Sequence, residues 1–129
     1  MKKLILFSAF FLSSLAIHAS YNDFDCYVKN FTVLSEESKG DKQFIEENLK
    51  KRFIIAISEQ EVIVTSISDS FKSRTDKFNI FYKNEFFGTI IARTALNDET
   101  LVINPTTGQA TISIQGDFYL NAWLLDCKN

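Results

Sequence analysis

Phe53-Ile54-Ile55-Ala56-Ile57-Ser58 and Val62-Ile63-Val64-Thr65-Ser66-Ile67-Ser68 are two apolar, β-branched runs separated only by Glu59-Gln60-Glu61. Side chains branched at Cβ favour extended backbone, and a three-residue polar break between two such runs is a hairpin pattern. From Phe53 onward the chain keeps a period of two, so antiparallel strands are expected as far as its C-terminal end.

Downstream of this hairpin, residues 69–76 read as a charged loop containing Lys72 and Arg74. Strands over 77–83 and 86–94 flank Asn84-Glu85, where Asn tolerates the positive φ of a tight turn. Strands over 100–104 and 110–115 flank Pro105-Thr106-Thr107-Gly108, with Pro preset for the first corner and Gly able to take the left-handed conformation. Residues 118–127 form a last strand, apolar on both faces.

Upstream, residues 24–34 read as a first strand whose alternation changes phase. Phe24, Cys26 and Val28 share one parity, Phe31 and Val33 the other, and a bulge near Lys29-Asn30 reconciles them. A polar connection over 35–40 follows. Asp41 then caps a helix expected to run to about Arg52, with Phe44, Ile45, Leu49 and Phe53 on one stripe and Lys50-Lys51-Arg52 where the helix dipole favours cations.

Eight short strands joined by hairpin-length turns, with one α-helix inserted after strand 1, predict a mainly β domain. Its form is either an antiparallel up-and-down barrel or a strongly curled sheet packed on the helix. Cys26 and Cys127, the only cysteines, lie near the two ends of the strand-forming region. A bond between them needs Cα atoms within about 7 Å, which sets the first strand beside the last and closes the sheet.

The first nineteen residues have a separate reading. Lys2 and Lys3 precede an apolar run from Leu4 to Ile17, and Ile17-His18-Ala19 ends it, the pattern of a secretory signal peptide cleaved after Ala19. The run is shorter than the roughly 20 residues a spanning helix needs, and no comparable stretch follows. No membrane span is expected after its removal. Asp23-Phe24-Asp25 lacks the small, apolar character of a lipoprotein cleavage box, so no lipid anchor on Cys26 is expected either. A secreted or periplasmic protein, with residues 20–129 as one disulfide-linked domain, is the expectation.

Removing the signal leaves 12 basic residues against 16 acidic ones, and the net charge moves from -2 to -4. Such a surface repels phosphate backbones, which argues against nucleic acid. His18, the only histidine, leaves with the signal. With both cysteines oxidised, the mature chain then has neither imidazole nor thiol for Ser-His or Cys-His pairs or for a His/Cys zinc site. No enzyme and no cofactor are expected.

Several clusters of side chains offer candidate chemistry. The bridge would draw Asp23, Asp25 and Asp126 together as oxygen ligands for Ca²⁺, though no calcium-loop spacing accompanies them and a solvated group of carboxylates is the simpler reading. Glu36-Glu37, Glu46-Glu47, Glu59/Glu61 and Asp98-Glu99 offer acid-base pairs, all at positions expected to be solvated. Asn30-Phe31-Thr32 matches an N-glycosylation pattern inside a strand. The hairpin over 78–94 stands out. Phe78, Ile80 and Tyr82 take the core parity, whereas Phe81, Phe87 and Ile91 take the other and form a candidate interaction patch, unless the helix covers them. Trp123, Tyr119, Leu125 and Cys127 share a face and read as core.

Size, export signal and terminal cysteines are similar to those of small secreted bacterial inhibitors such as the periplasmic lysozyme inhibitors. The Ser-Gly-x-x-Tyr loop of the membrane-bound lysozyme inhibitors is not present, so the likeness is one of build and carries no residues across. The expected function is an exported, non-enzymatic interaction protein of inhibitor, immunity or envelope-partner type, with another protein as partner. The alternative is a carrier for a small apolar ligand held in the barrel beneath the helix, lined by Phe53, Phe78, Ile80 and Trp123.

Overall fold

The computed structural model describes residues 20–35 and 41–129. The expected signal peptide, the connection over 36–40 and the Glu36-Glu37 pair lie outside the described residues. Among the described residues, the elements follow in the order β1 (Asn22–Ser35), α1 (Lys42–Leu49), β2 (Arg52–Ile57), β3 (Glu61–Ile67), β4 (Arg74–Lys83), β5 (Ile90–Arg93), β6 (Glu99–Asn104), β7 (Gln109–Gln115) and β8 (Tyr119–Lys128). Each strand pairs antiparallel with the next, and β1 also pairs with β8, so the sheet closes into a barrel. The mainly β fold with its helix after strand 1 is as expected, and of the two forms considered the chain adopts the barrel.

Closure is made by β1 and β8. Cys26 stands directly opposite Cys127, with Cα atoms 4.0 Å apart, and the two sulfurs are bonded. A buried disulfide of this kind is the mark of an oxidising, extracellular or periplasmic environment. The register along β1 and β8 shifts between Val28 and Asn30, which is the bulge required by the phase change. Without it, Phe31 would point outward; with it, Phe31 is buried and packs at 5.0 Å from the Trp123 ring.

Three departures from the expected layout matter for the sites. First, α1 ends at Leu49, because Arg52 and Phe53 are taken into the ladder opposite Tyr27 and Cys26. Asp41 does cap it, accepting from the Phe44 N–H at 3.2 Å. The stripe facing the barrel is Phe44, Ile45 and Asn48, with Leu49 exposed; buried Asn48 is satisfied by donating to the Phe44 carbonyl at 2.9 Å.

Second, β4 has its own register shift between Ile80 and Tyr82. Phe81 is the extra residue, so Tyr82 moves to the outer wall opposite Ile91 instead of sharing the core face with Phe78 and Ile80. A period-two count cannot see such a slip, since both parities here are apolar. Third, the charged stretch before Phe78 is strand from Arg74 on, and Glu99 opens β6. Arg74, Asp76 and Glu99 thereby acquire the inward parity of Phe78 and Leu101.

Candidate functional sites at the two ends of the barrel

Two ends follow from the topology. One carries both chain ends of the barrel and the β2–β3, β4–β5 and β6–β7 turns; the other carries α1 and the β3–β4, β5–β6 and β7–β8 turns. They differ in chemistry.

At the first end, the β4–β5 and β6–β7 turns are built alike. Asn84 accepts from the Phe86 and Phe87 N–H groups through Oδ1 (3.0 and 2.9 Å), and its carbonyl accepts from the Gly88 N–H at 2.7 Å. Asn104 repeats this with Thr106 and Thr107 (3.0 and 3.3 Å) and with the Gly108 N–H at 2.9 Å. Gly88 and Gly108 sit at φ 77° and 75°, a conformation that suits residues without Cβ. The shared pattern is Asn-x-x-x-Gly. The expected two-residue turn at Asn84-Glu85 is thus a longer loop, and Phe86 and Phe87 leave the predicted strand to sit at its tip. Asn104 also donates through Nδ2 to the Phe87 carbonyl at 2.9 Å, bracing one turn against the other.

Phe86 and Phe87 are 88% and 66% exposed, and their rings meet edge to face at 4.8 Å. Phe81 is 55% exposed on the outer wall, with the Arg93 guanidinium 4.7 Å from its ring centroid. Ile91 is half-buried on the same wall beside Tyr82. The patch residues therefore belong to one hairpin but to two surfaces, Phe81 and Ile91 on its wall and Phe87 at its tip. The helix does not cover them: Phe44 lies at the other end, against Phe31 (5.8 Å) and Phe71 (6.1 Å). Sequence reasoning missed Phe86, whose signal was the spacing from Asn84 to Gly88, identical to that from Asn104 to Gly108.

The helix end holds a cavity of about 200 Å³. Phe53, Val64, Phe78, Ile112 and Trp123 form its apolar wall, and Lys51, Lys72, Arg74, Asp76 and Glu99 border it. Arg74 reaches both acids, donating through Nε to Asp76 at 2.6 Å and through Nη2 to Glu99. Glu99 is only 5% exposed, and burial, reinforced by the nearby Asp76 charge and opposed by Arg74, raises its pKa above the usual carboxylate value. This overturns the expectation that Asp98-Glu99 is a solvated pair, though Asp98 itself is exposed.

Lys51 is half-buried, its ammonium 4.6 Å from the Phe71 centroid and 4.9 Å from that of Trp123. Burial and the neighbouring Arg74 charge lower its pKa. It has no carboxylate partner among the described residues. Trp123 is 3% exposed, and its indole N–H is buried without a hydrogen-bond partner among the described residues. Of the expected cavity lining, Phe53, Phe78 and Trp123 are present and Ile80 is not.

Asp23, Asp25 and Asp126 do not converge. Asp25 pairs with Arg52 at 2.6 Å, and among the described residues no three His, Cys, Asp or Glu side chains are grouped to hold a metal ion. Asn30 is exposed at the β1 bulge. No helix among the described residues is long and apolar enough to cross a membrane. Comparison of the chain with protein-family models, with curated proteins and with solved structures finds no match in any of the three.

Proposed function

We propose that this is an exported, non-enzymatic interaction protein, of inhibitor, immunity or envelope-partner type, that grips another protein with the β4–β5 hairpin. The observation that carries this reading is the pair of exposed rings, Phe86 and Phe87, on a tip held by Asn84 and Asn104. Exposed aromatics on a preorganised loop lose little conformational freedom on docking, which is the usual make-up of an interface anchor. Phe81, Tyr82 and Ile91 extend the apolar surface along the wall, and nucleic acid remains disfavoured by the net charge. The buried disulfide and the Lys2-Lys3 leader pattern support a secreted or periplasmic location. An imidazole-free, thiol-free barrel supports a non-catalytic role.

The test uses the oxidised protein as bait in an extract of secreted and periplasmic proteins, beside a Phe86→Ser/Phe87→Ser variant of equal melting temperature. A polypeptide retained by the parent and released by the variant is expected. Equal retention by both removes the hairpin from the binding surface.

A second reading, a carrier for a small apolar ligand, is favoured by the cavity lined by Phe53, Phe78 and Trp123 beside α1. An eight-stranded barrel has room for one such molecule when its side chains do not fill it.

A further inference from the structure

We infer that the cavity at the helix end takes a small monocarboxylate with a compact apolar or aromatic body, its carboxylate meeting the Lys51 ammonium beside the Trp123 ring. The inference rests on the carrier reading and names the chemistry of that site.

Size comes first. At about 200 Å³ the cavity lies below the ~300–1,000 Å³ of sites that enclose drug-sized ligands, so its occupant is smaller than those. The wall of Phe53, Val64, Phe78 and Ile112 asks for an apolar body. Polarity decides the rest. Three cations and two carboxylates border the cavity, and both carboxylates are held by Arg74. What is left over is donor capacity at Lys51, a half-buried ammonium without a carboxylate partner among the described residues, set against the Phe71 and Trp123 rings. An ammonium held partly out of water is stabilised by an acceptor, and an anionic one serves best. The Lys51 ammonium is 4.9 Å from the Trp123 ring centroid, so a carboxylate that accepts from it at about 2.8 Å sets its apolar body against that wall. The excess of a single positive charge matches a monoanion, and a ligand cation would meet Lys51 and Lys72 with no acid to spare.

Trp123 is the only tryptophan, so its fluorescence reports on the cavity wall directly. Titration of the oxidised protein with benzoate, hexanoate, benzyl alcohol and benzylamine is expected to give saturable changes for the two acids. Binding of the alcohol should be about tenfold weaker or more, since it lacks the charge-assisted contact. Lys51→Gln, at a half-exposed site, should fold normally and lose that preference. Equal binding of acid and alcohol, or stronger binding of the amine, overturns the carboxylate and leaves the carrier reading standing. No saturable change with any of the four overturns both.

Discussion

The two ends of the barrel are built on the same ladder and filled in opposite ways. Toward the disulfide the interior is closed by Phe24, Cys26, Val62, Ile103, Leu125 and Cys127, all buried and apolar. Around the helix end, inward positions of equal parity hold Ser66, Arg74, Asp76 and Glu99 beside an open volume. Burial of apolar surface contributes about 25 cal/mol per Å², whereas buried ion pairs offset much of their attraction by desolvation. The difference teaches that stability and chemistry are segregated along the axis. One end holds the sheet closed, and so the other tolerates charges and a void.

Reduction of the disulfide should be the largest perturbation of that arrangement. The bond joins residues 101 apart, for which the chain-entropy model gives a ceiling of about 4.7 kcal/mol. A melting temperature unchanged by reductant would mean that closure does not depend on the β1–β8 bond.

Truncation sharpens the contrast next. Leu125→Ala, in the packed interior, should cost about 3 kcal/mol, while Ile114→Ala, half-buried and already bordering the cavity, should cost about 1 kcal/mol. Denaturant midpoints measure both, and equal losses would sink the idea of one filled and one open end.

Gly108 and Gly88 share their backbone conformation but not their surroundings. A Cβ at Gly108 would lie 2.3 Å from the Cys127 carbonyl oxygen; at Gly88 its nearest neighbour is the Thr106 hydroxyl at 3.4 Å. Each Gly→Ala change carries left-handed strain of about 1–2 kcal/mol, and at position 108 displacement of β8 is added. Only Gly108→Ala should loosen the disulfide end, read as faster exchange of the Cys127 amide, which donates to the Gly108 carbonyl at 2.7 Å.

A smaller effect belongs to Glu99. Its pKa is raised in the folded state, so the native protein binds more protons than the unfolded chain between the ordinary value of 4.5 and the folded one. The contribution of this group is therefore fully present below pH 4.5 and is lost as pH rises through the folded pKa. Arg74, Asp76, Lys51 and Lys72 border the same cavity, and Asp98 acts on Glu99 from the adjoining turn; all of these charges are common to parent and variant. Glu99→Gln should flatten this part of the melting profile, and an unaltered slope would place the titration elsewhere. Smallest of all, Phe81→Ser on the outer wall should change stability by no more than about 0.5 kcal/mol. A loss near 3 kcal/mol would mean that the ring is packed, and would withdraw it from the binding surface.

The features read correctly from the chain are those whose signal is local. The β1 bulge follows from a parity change between Val28 and Phe31, and the β6–β7 turn from Pro105 and Gly108. The sites were harder. Arg74 and Asp76 carry the parity of Phe78, yet a charged residue before a strand reads as loop when inward is equated with apolar. Glu99 reads as a turn residue for the same reason. Phe81 sits in an apolar run on both parities, so nothing in the period marks it as the extra residue. Phe86 was legible in principle, through the repeated Asn-x-x-x-Gly spacing.

By itself the sequence determined the strand count, the order, the place of the helix and the pairing of Cys26 with Cys127, because side-chain alternation, turn chemistry and the uniqueness of two cysteines are properties of short segments. Tertiary structure alone decided what lies inside. Whether Arg74, Asp76 and Glu99 face water or one another depends on β3, β4 and β6 meeting in one register. Whether Trp123 completes a core or a cavity depends on how far the rings of Phe31, Phe53 and Phe78 fill the space around it. Charge compensation and volume are sums over several strands, and no single stretch of chain contains them.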